Sequence, residues 1–185
     1  RVLDYGIVPM PDGVRITSVA CGSSHTLFLT TAGAVFAAGT RCGMGGGQAG
    51  LGGHGTGGVD EPPPDSLTPV PVSMPREGGG DAVVVSVGAG QAISAAVTRG
   101  GSLFTWGSGD SGELGHGVAE DARWAPTAVA ALRVDGWHAT TVACGHFHAA
   151  VLATRGDRSS GGGGGGGGGG DGEEAKSYVL TWGWG

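Results

Sequence analysis

Two short stretches of the sequence place cysteine close to histidine. Cys21 precedes His25 in ACGSSH, and Cys144 precedes His146 and His148 in ACGHFH. Thiolate and imidazole groups are common zinc ligands, and a structural zinc site needs four of them to converge. Because the two cysteines hold the same place in separate copies of a repeat, we expect them to lie far apart. The spacing therefore favours a structural role, in which histidine rings between adjacent strands bond backbone groups and hold a corner of a sheet.

The glycine-rich stretch GSGDSG, Gly107–Gly112, matches the fingerprint of dinucleotide-binding proteins. That fingerprint requires a helix whose N-terminus faces a pyrophosphate, whereas here the chain continues as ELGHG with further turn-forming glycine. We expect an exposed loop that carries Asp110 and Glu113 and returns the chain to an outer strand. No serine lies in a G-x-S-x-G elbow, and no two carboxylates have the spacing of an acid and base pair. The sequence thus predicts no catalytic residue, no cofactor and no small-molecule substrate.

The composition disfavours several classes of protein. The formal net charge is −6 and the ten Lys and Arg residues are scattered singly, whereas binding to nucleic acid needs clustered positive charge. No stretch approaches the ~18 apolar residues of a membrane span. The odd number of cysteines, three, favours a reducing compartment, the cytoplasm or the nucleus. Because the sequence starts RVLDYG without an initiator Met, we expect an excerpt of a larger protein.

The chain contains three copies of a repeat. Gly22, Gly90 and Gly145 mark the same place in each copy and lie 68 and 55 residues apart, and repeats of this length indicate arrayed supersecondary units. Each copy contains short β-type runs separated by turns, and proline restricts the last run to an outer strand. The prediction is an all-β fold, a partial β-propeller of about three four-stranded antiparallel blades. The predicted strands are Ile16–Ala20, His25–Thr30, Ala34–Ala38, Pro69–Val72, their counterparts near Val83, Ile93 and Leu103, and Pro126–Val129.

The boundaries of the repeats follow from these runs. Residues 1–10 are expected to end a preceding blade, 11–72 to form repeat 1 with loop insertions, 73–130 repeat 2, and 131–185 an incomplete repeat 3. The glycine run at 161–170 lies inside residues 155–176, which we expect to be a disordered hairpin tip. The insertion at 57–77 is expected to extend a connection to an outer strand, or to present an extended proline-rich segment.

Several motifs together resemble the regulator of chromosome condensation repeat family of seven-bladed propellers. They are ACGSSHT from residue 20, LFTWGSGDSGELGHG from residue 103, ACGHFH from residue 143 and YVLTWGWG from residue 178. The resemblance covers about residues 8–185, and the tryptophans near strand ends are expected to pack between blades. Ile93 and Ala38 depart from the pattern, because other copies have histidine and tryptophan there. The structural motif positions are Cys21, Gly22, His25, Gly90, Trp106, Gly107, Cys144, Gly145, His148, Trp182 and Gly183.

The resemblance implies two kinds of function. The one we predict is a propeller scaffold that binds protein partners through its loops, commonly as one domain of a larger chain. The alternative is guanine-nucleotide exchange on a small Ran-like GTPase. A third reading, a light sensor similar to the plant ultraviolet-B photoreceptor, is disfavoured because no tryptophan follows Gly22, Gly90 or Gly145. The candidate contact residues in the loops are Asp110, Glu113, His116 and Trp124.

Overall fold

The computed structural model describes residues 6–39, 66–109, 112–117, 120–155 and 176–183, with the backbone alone at residues 67 and 120–122. Within these ranges, eleven strands form three antiparallel sheets, and one short helix lies between the second and third sheets. The predicted all-β fold with antiparallel blades, a partial β-propeller, is confirmed. No helix in the described ranges is long and apolar enough to cross a membrane.

Each sheet is a simple meander in which every strand pairs with its neighbours in sequence. This order is the one expected of a propeller blade. The first sheet contains β1 (Ile16–Cys21), β2 (His25–Thr30), β3 (Val35–Gly39) and β4 (Ser66–Pro71). The second contains β5 (Val84–Ala89), β6 (Ile93–Thr98), β7 (Leu103–Gly109) and β8 (Glu120–Ala128). In the described part of the third sheet, the strands are β9 (Trp137–Cys144), β10 (His148–Arg155) and β11 (Ser177–Gly183).

The burial of the strands shows how the sheets are stacked. In β2, Leu27 and Leu29 are buried, whereas Thr26 and Phe28 on the opposite face are only half-buried. This alternation is the period of two that a strand with one covered face requires. In β6 every residue is buried, because the second sheet lies between the other two.

Two apolar cores join the sheets. Between the first and second sheets, Leu27 and Val35 share a cluster with Val87 and Trp106. Between the second and third sheets, the cluster includes Val97, Leu103, Val142 and Val151, among others. Removing apolar side chains from water is the main force that stabilises such stacking. Each sheet therefore depends on its neighbour for a covered face.

The outer strands contain proline at an irregular place in the pairing. β8 begins at Glu120, six residues before the predicted start at Pro126. The β7–β8 and β3–β4 pairings both shift register where Pro126 and Pro69 lie. A proline has no N–H to donate to a ladder, so an irregularity on an outer strand accommodates it.

The helix α1 (Ala130–Val134) was not predicted from the sequence. Its residues AALRV include good helix formers, but five residues are too few to show a helical period. Leu132 is buried in the core between the second and third sheets, so tertiary packing fixes this turn.

Some predictions fall at the edges of the described structure. Residues 7–9 lie outside any strand, so their assignment to a preceding blade stays a prediction. β10 and β11 pair as far as Thr154 and Ser177, so residues 156–175 link two neighbouring strands of one hairpin. The predicted character of that loop, and of the insertions up to residue 65, lies outside the described residues.

Candidate functional site

The turn that opens each sheet has the same backbone hydrogen bond in all three copies. The N–H groups of Gly22, Gly90 and Gly145 each donate to the carbonyl of the residue three positions later, over 2.8 Å. A Cβ atom at Gly22 would collide with the carbonyl of Gly90, and one at Gly90 with the carbonyl of Gly145. Gly22 and Gly90 therefore lie where two neighbouring sheets approach too closely for a side chain, whereas a Cβ atom at Gly145 would meet the ring of His148 in its own sheet.

His25 joins the first sheet to the second through its side chain. Its Nε2 lies 2.9 Å from the hydroxyl oxygen of Ser94, and the residue is 3% exposed. Burial lowers the pKa of His25 from 6.5 to about 4, because a charged ring loses its hydration there. The expected bond to backbone groups is wrong: the partner is a hydroxyl of the next sheet.

The equivalent contact between the second and third sheets is apolar. Ile93 takes the place of His25, and it packs with Ala149 and Leu114 in a buried cluster. Ala149 is the equivalent of Ser94. Ala149 pairs with Cys144 in the third sheet, as Ser94 pairs with Ala89 in the second. His25 therefore contacts a hydroxyl group on the next sheet, whereas Ile93 contacts the methyl group of Ala149.

The two tryptophans of the motif lie between sheets. Trp106 is fully buried in the first core. The indole N–H of Trp182, in the third sheet, donates to the backbone carbonyl of Glu113 in the second over 2.6 Å. Gly107 and Gly183, which follow these tryptophans, lie against backbone carbonyls of the preceding turn.

The loop of residues 112–117 is folded down onto its own sheet. The Thr105 hydroxyl donates to the carbonyl of Leu114 over 2.7 Å and lies 3.1 Å from Nε2 of His116. Leu114 is 2% exposed, and Gly115 lies under the Trp182 ring. Glu113 is 5% exposed, so the expectation of an exposed Glu113 is wrong. The cause is the third sheet, which covers the loop.

The other loop candidates have different surroundings. His116 is half-buried against Thr105, and Trp124 is half-buried on the outer strand β8. Asp110 lies outside the described residues. Among the described candidates, Glu113 and His116 share the 112–117 loop, whereas Trp124 lies on a strand of the same sheet.

The two described cysteines differ in burial. Cys21 is exposed and Cys144 is half-buried, and burial raises the pKa of the Cys144 thiol from 9.0 to about 12. His148 is exposed. Among the described residues, no group of three or more His, Cys, Asp or Glu side chains is placed to hold a metal ion.

A groove that the sequence did not reveal lies beside the β6–β7 hairpin. It has a volume of about 700 Å³ and is lined by residues 75–78 and 81–83, the hairpin tip and α1. It contains Arg76, Arg99 and Arg133, and Arg76 forms an ion pair with Asp81 over 3.5 Å. Three separate segments supply these arginines, so no motif marked the groove. The only signal in the sequence was Arg99 in the turn between two predicted strands.

Comparison with known families identifies the repeat. Models of the regulator of chromosome condensation (RCC1) repeat match residues 16–40 and 100–152. The chain carries RCC1 repeats. The second match begins in the β6–β7 hairpin and ends in β10, so the RCC1 sequence repeat runs from the second sheet into the third.

Individual relatives share these RCC1 repeats over part of their length. The chain is 37% identical over 108 residues to the RCC1 domain-containing protein RUG3, mitochondrial, of Arabidopsis thaliana, covering 58% of this chain and 21% of that protein. It is 46% identical over 70 residues to human E3 ubiquitin-protein ligase HERC2, covering 38% of this chain and 1% of HERC2. Prp20p of Saccharomyces cerevisiae has the same fold, with a TM-score of 0.56, 24% identity, and coverage of 75% of this chain and 31% of that one. The chain therefore spans about a third or less of the length of each.

Proposed function

We propose that these RCC1 repeats form a protein-interaction module, in which the sheets hold connecting segments that contact a partner. The observation that supports this most is where the motif side chains point. His25, Trp106 and Trp182 all act between sheets, and the 112–117 loop is held by the third sheet. What remains for a partner is the surface of the connections, where binding specificity is commonly placed on a rigid scaffold.

The arginine groove is the described surface that best fits a partner. Arg99 and Arg133 line it, and no described ion pair involves either of them. Two carboxylates, Glu77 and Asp81, line the groove, and Asp81 is already paired with Arg76. An acidic segment of a partner protein would supply the missing carboxylates, since arginine binds carboxylates in paired hydrogen bonds.

The test is a quantitative pull-down with the tagged chain. The groove variant is Arg99→Ala with Arg133→Ala. The control, Arg15→Ala with Lys176→Ala, removes the same charge from exposed positions outside the groove. We expect partners to be retained by the control and lost by the groove variant. Equal recovery by both variants would contradict a role for the groove.

Guanine-nucleotide exchange on a Ran-like GTPase is the second candidate. The structure of Prp20p was described together with its binding to Gsp1p and histones, and Prp20p shares this fold. Exchange demands that a bound nucleotide leave the GTPase faster, which partner binding alone does not. The rate of nucleotide release therefore separates the two candidates.

The compartment is part of the same proposal. We expect the chain to act inside the cell, in the cytoplasm or nucleus, whereas RUG3 is named a mitochondrial protein. Imaging of the tagged natural protein decides between these compartments.

A further inference from the structure

A small apolar pocket lies between the second and third sheets, next to the arginine groove. It has a volume of about 130 Å³. We call it the anchor pocket; its apolar walls include Leu103, Val129, Leu132 and Trp137. The first three of these side chains are buried in the core between the two sheets, and Trp137 packs against that core. The anchor pocket is therefore a place where this core comes close to the surface.

The anchor pocket is continuous with the arginine groove. The residues that line both cavities are Gly100, Ser102, Ala128 and Arg133. Three of the four, Gly100, Ala128 and Arg133, are exposed, so solvent reaches both cavities at this shared rim. Arg133 lies where the apolar cavity and the charged groove meet. A ligand that binds Arg133 can therefore place a neighbouring side chain in the anchor pocket.

Three contacts hold the wall of the anchor pocket that belongs to the third sheet. The guanidinium carbon of Arg155 lies 5.0 Å from the centre of the Trp137 ring. The Tyr178 ring meets Trp137 edge-on, with 5.1 Å between the ring centres. The N–H of Ala139 donates to the carbonyl of Gly101 over 2.9 Å, and this bond joins the hairpin tip to the third sheet. Walls that are already held in place reduce the cost of ordering on binding.

The volume of the anchor pocket limits the side chain that can enter it. An apolar protein cavity of about 150 Å³ holds a benzene molecule, so about 130 Å³ fits a branched aliphatic side chain such as that of leucine or isoleucine. The two-ring side chain of tryptophan is too large, and the methyl group of alanine would leave most of the cavity empty. A branched aliphatic side chain gains the most from leaving water at this place.

The charges in the arginine groove select the residues beside that side chain. The lining contains three arginines and two carboxylates, so one positive charge is in excess. Arg76 is paired with Asp81, and no described ion pair involves Arg99 or Arg133. The formal net charge of the whole chain is −6, so a long polyanion such as nucleic acid would be repelled by the rest of the surface. A short acidic segment avoids that repulsion.

We infer that the acidic partner segment carries a leucine or isoleucine that enters the anchor pocket, while carboxylates beside it bind Arg99 and Arg133. This inference rests on the proposed role of the arginine groove in partner binding, and it adds the side chain that makes binding specific. The aliphatic side chain supplies apolar burial. The carboxylates fix its orientation through paired hydrogen bonds with the guanidinium groups. Apolar sites with a few placed polar groups are typical of specific recognition.

Fluorescence polarisation with labelled peptides tests the anchor, using the natural protein that contains these repeats. Each peptide has two aspartates on either side of a central residue, between Gly-Ser flanks, and is named by its central residue. We expect the leucine peptide to bind at least about tenfold more tightly than the alanine peptide, and the tryptophan peptide to bind no better than alanine. Replacing the aspartates of the leucine peptide by asparagine should abolish binding. A leucine peptide that fails to bind, or binds no more tightly than the alanine peptide, would overturn the inference.

A substitution at the shared rim tests where the aliphatic side chain binds. Ala128 lines both cavities, so Ala128→Leu narrows the entrance without a change of charge. The matched control Ala130→Leu changes an exposed alanine of α1 that lines neither cavity. Ala128→Leu should remove the preference for the leucine peptide over the alanine peptide, whereas the control should keep it. Circular dichroism should show that both variants keep their strands, since both positions are exposed. A preference that survives Ala128→Leu unchanged would refute the anchor pocket as the site.

The failure of this inference and the failure of the proposed function have different signatures. Leucine and alanine peptides of equal affinity, both lost in the variant Arg99→Ala with Arg133→Ala, would refute the anchor and leave the role of the groove intact. Peptide affinities that this variant does not change, together with equal recovery of partners in the pull-down, would refute the groove and the inference with it.

Discussion

His25 connects two sheets through one buried hydrogen bond. The sequence predicted a structural histidine at this place, but not its partner, because Ser94 is 69 residues away and only the stacking of the sheets brings it close. Glu113 shows the opposite error. The glycine-rich loop predicted that Glu113 would be exposed. Trp182, which is 69 residues from Glu113 in the sequence, helps to cover the loop. Contacts set by stacking leave no local signal in the sequence.

Removing the hydroxyl at Ser94 should destabilise the chain. Ser94→Ala leaves the buried His25 ring without this partner, and an unsatisfied buried polar group lowers the free energy of unfolding by about 1–3 kcal/mol. The double variant His25→Ile with Ser94→Ala copies the Ile93 and Ala149 contact, and it should recover most of the loss. Urea denaturation of the three proteins measures both effects. A double variant that is less stable than Ser94→Ala would contradict the equivalence of the two contacts.

The lowered pKa of His25 predicts a pH dependence of stability. Between 6.5 and about 4 the unfolded chain binds a proton that the folded chain does not. Stability should therefore be greatest above pH 6.5 and fall as the pH is lowered towards 4, by about 3 kcal/mol from this group. The double variant His25→Ile with Ser94→Ala lacks this contribution. The difference between the two denaturation profiles isolates it; parallel profiles between pH 6.5 and 4 would show that His25 is not held neutral.

The two cysteines should differ in reactivity. Cys144 has its pKa raised to about 12 by burial, so its thiolate is scarce at neutral pH, whereas Cys21 is exposed. In a Cys42→Ser background, a thiol reagent should label Cys21 first and Cys144 only slowly unless urea is added. Mass spectrometry of the labelled peptides checks the order. Equal rates in the folded chain would contradict the burial of Cys144.

At the scale of elements, the turns and strands were predictable because their signals are local. The alternation in β2 and the glycine of each opening turn are read within six residues. The early start of β8 and the helix α1 were missed, since both depend on contacts with other segments: β8 on its pairing with β7, and α1 on the burial of Leu132. The burial of the 112–117 loop was missed for the same reason, because it depends on contact with Trp182 of the third sheet.

Substituting Gly115 tests how firmly this loop is held. Gly115 has φ +74° and a Cβ there would lie 2.8 Å from the indole nitrogen of Trp182. Gly117 has φ +83° with open space around it, so Gly117→Ala is the control for backbone strain alone, about 1–2 kcal/mol. Gly115→Ala should destabilise the chain by more than Gly117→Ala in thermal denaturation. Equal losses would mean that the loop does not pack on the third sheet.

At the scale of the whole molecule, the described residues form three stacked sheets, so two sheet faces have no neighbouring sheet among those residues. Repeat architectures gain stability from each interface between neighbours, and here both end faces leave apolar side chains such as Val19 and Val179 exposed. The sequence predicted the three sheets from its three repeats. It did not predict the arginine groove, which forms only when the 75–83 connection, the hairpin tip and α1 come together.

The exposed apolar side chains on these faces predict low stability for the 185-residue chain studied alone. It should melt within or below the ordinary mesophile range of about 45–65 °C. Scanning calorimetry measures the melting temperature. A sharp two-state transition of the monomer well above that range would contradict the dependence of each sheet on its neighbour.

The central claim is that this region binds proteins through its connecting segments and does not itself accelerate nucleotide exchange. The most direct measurement is the release of a fluorescent guanine nucleotide from a panel of small GTPases that includes Ran, with the natural protein that contains these repeats added in excess. We predict release rates unchanged from those of each GTPase alone. An acceleration of about tenfold or more, equivalent to about 1.4 kcal/mol of barrier, that is lost in an Asp110→Ala variant would contradict the account and establish exchange as the function.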